Sequence, residues 1–376
     1  MAAVDASVTG SASPKALQSI HFLRGLAAVF VVLAHALGST SLKFPQHVSI
    51  LPGSFESQLV ICASSVDFFF LISGFTMFYV YAKDFGNPLA WRDFMVRRVI
   101  RIVPMYWLIT AIYVAGLLFV PSAFSTLKFQ LRHAIESFLF IPTSNSAGEH
   151  FPMLNVGWTL WFEMYFYLLF GLAMLRTVRF ALWAMGIFFG LSVLIGYVAP
   201  LGTPVLEVLF NQLVFEFFLG GLAGYLALRG YRASVPIAWA LLASGLAIFA
   251  IQFVAGEWHI GRLFTRGVPA LMILIGLVSL EQHGRFKSPD WAIRLGDECY
   301  SLYLTHSLVL ALIFKAYISL ELMRWVSPDA LIVLCLLAAV IAAHVVFVWL
   351  ERPLTAALNS AWRDWGRLRV ERLPRS

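Results

Sequence analysis

Residues 18–38, QSIHFLRGLAAVFVVLAHALG, decide the fold class of this 376-residue chain. An α-helix needs roughly 20 apolar residues to cross a bilayer, and this stretch has that length and character. A secretory signal peptide is the competing interpretation, because Lys15 precedes the run and Ala34-His35-Ala36 resembles a cleavage site. Arg24 interrupts the apolar core that a signal peptide requires. We therefore interpret the stretch as a first transmembrane helix.

Further apolar stretches follow along the whole chain, separated by Gly, Pro and charged residues. The ten predicted spans are 18–38, 61–82, 103–120, 156–175, 181–199, 207–228, 235–255, 263–281, 295–318 and 330–350. A composition with 60% hydrophobic and 12% charged residues excludes a water-soluble globular enzyme and a disordered chain. The sequence predicts an all-α polytopic protein with one membrane domain, 18–350. Segment 125–140 is too polar to span and is predicted to lie in the interface.

The basic residues predict the topology. With ten spans and a cytoplasmic N-terminus, 19 of the 27 Lys and Arg residues lie on the cytoplasmic side, five outside and three within spans. The positive-inside rule then places both tails, 1–17 and the basic 351–376, in the cytoplasm. The net charge of +7 serves topology, so no nucleic-acid partner is predicted. Neither the three cysteines nor the histidines follow a metal-ligand pattern, and no metal is predicted.

Two ionisable residues in the first span share one face of the predicted helix. His35 lies eleven positions after Arg24. This offset is close to three full helical turns, or about 16 Å along the axis. In the predicted topology Arg24 lies toward the cytoplasm and His35 toward the outside. Arg24 snorkelling to headgroups and a packing role for His35 are the structural alternatives. Because ionisable groups in a membrane usually face a bundle interior, their shared face favours function.

A second cluster of charge precedes the third span, in WRDFMVRRVIRIVPMY, residues 91–106. Arg97, Arg98 and Arg101 lie on one side of a helix, and Pro104 is predicted to bend or break it. Either the arginines anchor the span at the cytoplasmic surface, or they bind phosphate through paired guanidinium hydrogen bonds.

Three further spans contain residues that a purely structural helix does not need. Ser73-Gly74 allows a backbone or a ligand to approach closely, although ordinary helix packing uses the same pattern. Glu163 lies in an aromatic span with Tyr167 one turn away, so it is neutral, paired or functional. Tyr303 and His306 share a helix face in the ninth span.

These elements together resemble the integral-membrane acyltransferase 3 family. The motifs are Arg24-x10-His35, SGF at 73–75, Arg98-x-x-Arg101 followed by RIVPMY, WTLWFE at 158–163, SLYLTH at 301–306 and WLERP at 349–353. The resemblance covers residues 18 to about 358. It implies ten spans and transfer of an acyl group, commonly acetyl, from cytoplasmic acyl-CoA to sugars of exopolysaccharide, O-antigen, Nod factors or peptidoglycan. The extracytoplasmic hydrolase-like domain of some members is expected to be absent.

The resemblance suggests a role for each candidate residue. His35 is expected to be the general base that removes the proton of an acceptor hydroxyl. Arg24, Arg97, Arg98 and Arg101 are expected to hold the nucleotide end of CoA, with the pantetheine arm passing Ser73-Gly74. Tyr303 and His306, or a backbone N–H, are candidate donors to the oxyanion. Glu163 is expected to orient His35 or to hold the acceptor.

Several alternatives stay open at this point. Direct transfer is favoured over a covalent intermediate on Ser73, and the acceptor is either lipid-linked or a finished polymer. A transporter or flippase for a lipid-linked sugar or small anion is the second functional hypothesis, although transporters often carry internal repeats and none is visible. A purely structural membrane subunit is the third. A bacterial inner membrane is the expected location.

Overall fold

The computed structural model describes residues 16–47, 58–59, 62–119, 129–199, 201–256, 258 and 260–371, with side chains to residue 365. These residues form helices and connecting turns, and no strand occurs among them. Most of tail 1–17 and residues 125–128 of the predicted interfacial segment lie outside this description.

Fourteen α-helices follow one another in the described part of the chain. They are α1 (Gln18–Lys43), α2 (Ser65–Tyr81), α3 (Pro88–Phe119), α4 (Leu131–Phe138), α5 (Trp158–Met174), α6 (Val178–Val198), α7 (Pro204–Leu209), α8 (Leu213–Leu228), α9 (Val235–Ala255), α10 (Val268–Gln282), α11 (Asp290–Asp297), α12 (Cys299–Ser319), α13 (Pro328–Val346) and α14 (Arg352–Glu371). Ten helical segments are long and apolar enough to cross a membrane, which confirms the predicted number of spans.

The first span begins where the sequence predicts, and a distant carboxylate fixes that start. Glu281, at the end of α10, accepts hydrogen bonds from the backbone N–H groups of Gln18 and Ser19 at 2.7 and 2.8 Å. The N-terminal N–H groups of a helix have no partner within it, and a negative charge there also complements the helix dipole. Glu281 therefore joins α1 to α10.

Two helices differ from their predicted form. The third span belongs to a 32-residue helix, α3, which continues through Pro104, so of the predicted bend or break the break does not occur. The predicted span 207–228 consists of two helices, α7 and α8, interrupted at Phe210–Gln212. Asn211 Oδ1 accepts the N–H of Leu213 at 3.1 Å and so begins the second of them.

The closest helix pair in the bundle is α2 with α8. Both helices present glycine at their contact: a Cβ on Gly74 would overlap the carbonyl oxygen of Phe217, and one on Gly220 the carbonyl of Leu71. Small residues permit this backbone approach, which is the usual way helices gain packing energy within a membrane. The contact fixes α2, and with it Ser73, against the centre of the bundle.

The chain beyond the last predicted span is helical. A π-helical turn, Phe347–Glu351, joins α13 to α14. Trp362 of α14 donates its indole N–H to Asp93 Oδ1 of α3 at 3.0 Å, and the guanidinium of Arg92 lies over the rings of Trp362 and Trp365. The helix is thereby held against the first turns of α3, close to the arginine cluster.

Candidate active site

A cavity of about 110 Å³ lies where α1, α2, α3, α5 and α12 meet. We call it the basic cavity. Its lining includes six of the side chains that the sequence analysis selected, namely Arg24, Ser73, Arg98, Arg101, Glu163 and Tyr303. Residues separated by as many as 279 positions in the chain are thus brought together, and the rest of the lining is largely apolar or aromatic.

Positive charge predominates in the basic cavity, because three guanidinium groups face one carboxylate among its lining residues. Arg24 Nη2 donates to Cys299 Sγ at 3.1 Å. Arg98 donates to the hydroxyl of Tyr81 at 3.3 Å, and its guanidinium lies 5.5–5.6 Å from the ring centres of Tyr81, Phe94 and Tyr167. Aromatic faces hold a guanidinium by cation–π attraction while leaving N–H donors available for an anionic ligand.

Glu163 is held within this cavity. Its carboxylate accepts a hydrogen bond from the hydroxyl of Tyr167, the partner one helical turn away that the sequence suggested. Ser73 Oγ lies 3.4 Å from the same oxygen. Glu163 was expected to orient His35. The hydrogen bond that orients His35 is instead accepted by the backbone carbonyl of Val31. Glu163 instead faces the arginines.

Tyr303 forms part of the wall of the basic cavity. Its hydroxyl donates to the carbonyl of Val156 and lies 2.6 Å from Thr159 Oγ1. A tyrosine hydroxyl has a single proton, so Thr159 donates to Tyr303 in this arrangement. The proton of Tyr303 is therefore engaged, and the side chain is not free to donate to an oxyanion as the sequence analysis expected.

His306 and His35 form a ring pair behind Tyr303. The ring centres of Tyr303 and His306 lie 6.1 Å apart, and those of His306 and His35 lie 4.9 Å apart. Nδ1 of His35 bonds the carbonyl of Val31 at 2.9 Å, and Nδ1 of His306 bonds that of Leu302 at 3.0 Å. A carbonyl only accepts, so Nδ1 carries a proton in both rings, and in the neutral form of each ring Nε2 has the lone pair. Nε2 of the fully buried His306 has no hydrogen-bond partner in the described part of the chain.

His35 opens into a second cavity, of about 390 Å³, which we call the histidine cavity. Its polar lining comes from α1 and α12 and comprises His35, Ser39, Lys43, Ser307, Lys315 and Ser319. Arg24 and His35 thus lie on one face of α1, as predicted, but they line different cavities. Tyr303 and His306 stand between the two.

Two residues that the sequence assigned to the donor site lie elsewhere. Gly74 faces α8, where the carbonyl of Phe217 occupies the place of a side chain. Arg97 is 43% exposed at its side chain and pairs with Asp93 at 2.6 Å, outside the basic cavity. Only two of the three clustered arginines, Arg98 and Arg101, therefore face the cavity.

Sequence reasoning missed a buried charge cluster in the neighbouring part of the bundle. Asp67 is fully buried and receives two hydrogen bonds from Arg262, at 3.0 and 2.8 Å. Glu216, also fully buried, is in electrostatic contact with both. The argument that selected Glu163, a carboxylate within an aromatic span, applies equally to Glu216 between Phe215 and Phe217.

Ten membrane-length helices around two cavities define an integral-membrane protein with an internal site. The chain belongs to the acyltransferase family, whose domain, described as "Acyltransferase domain", it matches over residues 17–349. It is 34% identical over 300 residues to the exopolysaccharide production protein ExoZ of Rhizobium meliloti (strain 1021), a match that covers 79% of this chain and 90% of that protein. No solved structure matches the chain. The protein is accordingly an acyltransferase with a helical membrane fold.

Proposed function

We propose that this acyltransferase moves an acyl group, commonly acetyl, from acyl-CoA to a sugar hydroxyl of an exported polysaccharide. One observation carries the proposal: a basic cavity and a cavity that contains a free imidazole lie on opposite sides of a wall formed by Tyr303 and His306. A donor with an anionic end requires a basic cavity, and a neutral acceptor hydroxyl requires a nearby imidazole. The likeness to an exopolysaccharide production protein supports the acceptor class.

Acyl-CoA, the donor, would bind in the basic cavity. Arg24, Arg98 and Arg101 would bind the phosphates of CoA through charge-assisted hydrogen bonds. A volume of about 110 Å³ is small for the whole of CoA, so the slender pantetheine arm would lie inside the cavity, with the phosphates on the arginines and the rest of the nucleotide outside. Ser73 and Glu163 would contact that arm. The thioester would then lie against Tyr303, next to the histidine pair.

The chemistry at the wall is direct acyl transfer. For transfer, the thioester must reach past Tyr303 and His306 to His35; there the acceptor hydroxyl attacks its carbonyl as His35 Nε2 takes the proton, the new C–O bond forms and the C–S bond breaks. The proton must end on the departing CoA thiolate. His306, in ring contact with His35 and unpartnered at Nε2, would carry it there. Tyr303 would position the reacting groups through its bonds to Val156 and Thr159 rather than as an oxyanion donor.

The orientation follows from the charge distribution. We propose that both termini lie in the cytoplasm, that residues 18–350 form a single membrane domain of a bacterial inner membrane, and that the helix at 131–138 lies at the outer interface. The 19 basic residues on the proposed inner side, against five outside, support this arrangement. Cytoplasmic acyl-CoA would then enter from the Arg24 end of α1, and the acceptor from the His35 end.

A His35→Ala substitution tests the proposal in cells. We expect the variant to insert normally and to leave the exported polysaccharide without the acyl groups that the wild-type protein adds, as measured by mass spectrometry. Normal acylation in a strain that expresses the variant at the wild-type level would refute the role of His35. His344→Ala, in the same class of substitution but outside both cavities, is the matched control.

A further inference from the structure

Two lysines flank the histidine cavity. Lys43 lies on α1, eight residues after His35 and therefore about two turns, or about 12 Å, further along the helix. Lys315 lies on α12, nine residues after His306, and lines the same cavity. Both are exposed, and both lie on the cavity side away from the guanidinium groups.

The carboxylates near this end of the bundle are already engaged. Asp329 bonds His47 at 3.0 Å, and Glu321 pairs with Arg324. Within the described residues, neither Lys43 nor Lys315 takes part in an ion pair. Among the residues that the structure describes, the cavity therefore has two ammonium groups and no anion that neutralises them.

A buried hydroxyl adds an independent indication of a ligand. Ser307 lines the cavity, its Oγ is shielded from solvent, and that atom has no hydrogen-bond partner among the described residues. A buried polar atom without a partner is unfavourable unless a bound molecule or water satisfies it. A sugar hydroxyl, which both donates and accepts, meets that requirement.

We propose that the acceptor is acidic: a glycan whose carboxylate or phosphate binds Lys43 and Lys315 while a hydroxyl on a separate unit reaches His35. This inference rests on the proposed function, since it makes the histidine cavity the acceptor site. The distance along α1 places the anionic group on a part of the acceptor other than the sugar being acylated. Complementary charge raises the rate and selectivity with which such an acceptor is captured.

The test compares acceptors that share one oligosaccharide and differ in the acidic group attached to it. Purified protein in lipid nanodiscs receives acetyl-CoA and one of three acceptors: a neutral oligosaccharide, the same oligosaccharide with one uronic acid, or the same oligosaccharide linked to a polyprenyl pyrophosphate. CoA release and product mass give KM and kcat. The variants are Lys43→Gln, Lys315→Gln and the double substitution. Lys287→Gln, an exposed lysine near the other end of α1, is the control.

We expect the double variant to raise KM for the charged acceptor about tenfold, the effect of losing two partly exposed charge pairs, with kcat nearly unchanged. Whichever charged acceptor responds, the uronate or the pyrophosphate, identifies the source of the anion. KM for the neutral acceptor and all constants of Lys287→Gln should be unchanged.

Unchanged KM for both charged acceptors in the double variant, or an equal rise for the neutral one, would overturn the inference. A His35→Ala variant in the same assay distinguishes failure of the acidic-acceptor inference from failure of the proposed function. If His35→Ala abolishes transfer while the lysine variants behave as wild type, only the acidic acceptor is refuted. If His35→Ala still transfers the acyl group, the proposed function itself fails.

Discussion

At the scale of single residues, the two histidines owe their chemistry to backbone carbonyls. Val31 and Leu302 each lie one helical turn before the histidine they bond, so the folding of α1 and α12 fixes the tautomers without help from another side chain. In the neutral form of each ring, Nε2 then has the lone pair. A general base needs that form, and the helix holds the ring in this tautomer.

The arginine cluster gives a prediction at the same scale. Replacing Arg98 and Arg101 together by Ala should weaken the binding of a non-hydrolysable acyl-CoA analogue by about a hundredfold or more, because each lost charge-assisted hydrogen bond contributes roughly 1.5–3 kcal/mol. Isothermal titration calorimetry in detergent measures this directly. Arg97→Ala is the matched control: its side chain is exposed and pairs with Asp93, so affinity should change little. Equal losses in the control and the double variant would contradict the assignment.

The buried ion pair of Asp67 gives a second prediction. Asp67→Asn keeps the shape of the side chain but removes the charge that receives two hydrogen bonds from Arg262. We expect a loss of about 2 kcal/mol in the free energy of unfolding, the usual range for a hydrogen bond to a charged group. A fluorescence-detected melting curve in detergent reports it. Asp93→Asn, at a half-exposed carboxylate, should shift the melting temperature less, and an equal shift would argue against a special role for the buried pair.

The sequence predicted which residues lie around the two cavities more accurately than it predicted their partners. Arg24 and His35 were placed on one face of α1 because helical geometry depends only on spacing. This face borders two cavities because Tyr303 and His306 lie between them. These residues are more than 260 positions away in the chain, so no local sequence pattern predicts their contact with α1. Tyr303 was expected to donate to an oxyanion because its bond to Val156 depends on how α12 packs against the turn before α5.

At the scale of elements, the contact between α2 and α8 determines where Ser73 lies. Gly74→Leu would force a side chain into the carbonyl of Phe217, so the helices must separate. Overpacking of this kind usually destabilises a protein by about 1–3 kcal/mol. We expect a lower melting temperature and reduced acyltransferase activity. Gly190→Leu, at a position on α6 with open space around it, should melt like the wild type. An unchanged melting temperature for Gly74→Leu would contradict the packing role.

The elements themselves were largely predictable, and the exceptions have physical causes. Long apolar runs specify spans because the bilayer requires about 20 such residues irrespective of tertiary contacts. Pro104 was expected to bend or break α3, yet the helix continues because the neighbouring helices of the bundle hold it. The helix that extends from Arg352 was expected only as a basic tail, since its order depends on Arg92 and Asp93 of α3.

At the scale of the whole molecule, the proposed acyl transfer requires the Arg24 and His35 ends of α1 to face opposite sides of the membrane. Single cysteines at Lys43 and Lys287 test this with a membrane-impermeant maleimide, since the three native cysteines are buried. We expect intact cells to label Lys43→Cys, and Lys287→Cys to require permeabilisation. The reverse pattern would invert the proposed topology and place the donor outside.

The wall between the two cavities is the feature on which the whole account depends. Tyr303 and His306 separate a basic compartment from the one that contains His35, so a donor and an acceptor could approach from opposite sides without exposing the thioester to water. Family membership establishes an acyltransferase, and the wall is the place where we propose that transfer occurs.

The most direct measurement uses proteoliposomes with the protein inserted in one orientation, acetyl-CoA on the Arg24 side only and an acceptor oligosaccharide on the His35 side only. We expect the wild-type protein to acetylate the acceptor. His35→Ala should not acetylate it, yet should bind the CoA analogue with unchanged affinity. Acetylation by His35→Ala at the wild-type rate, or wild-type activity only when donor and acceptor share one side, would contradict the proposed acyl transfer.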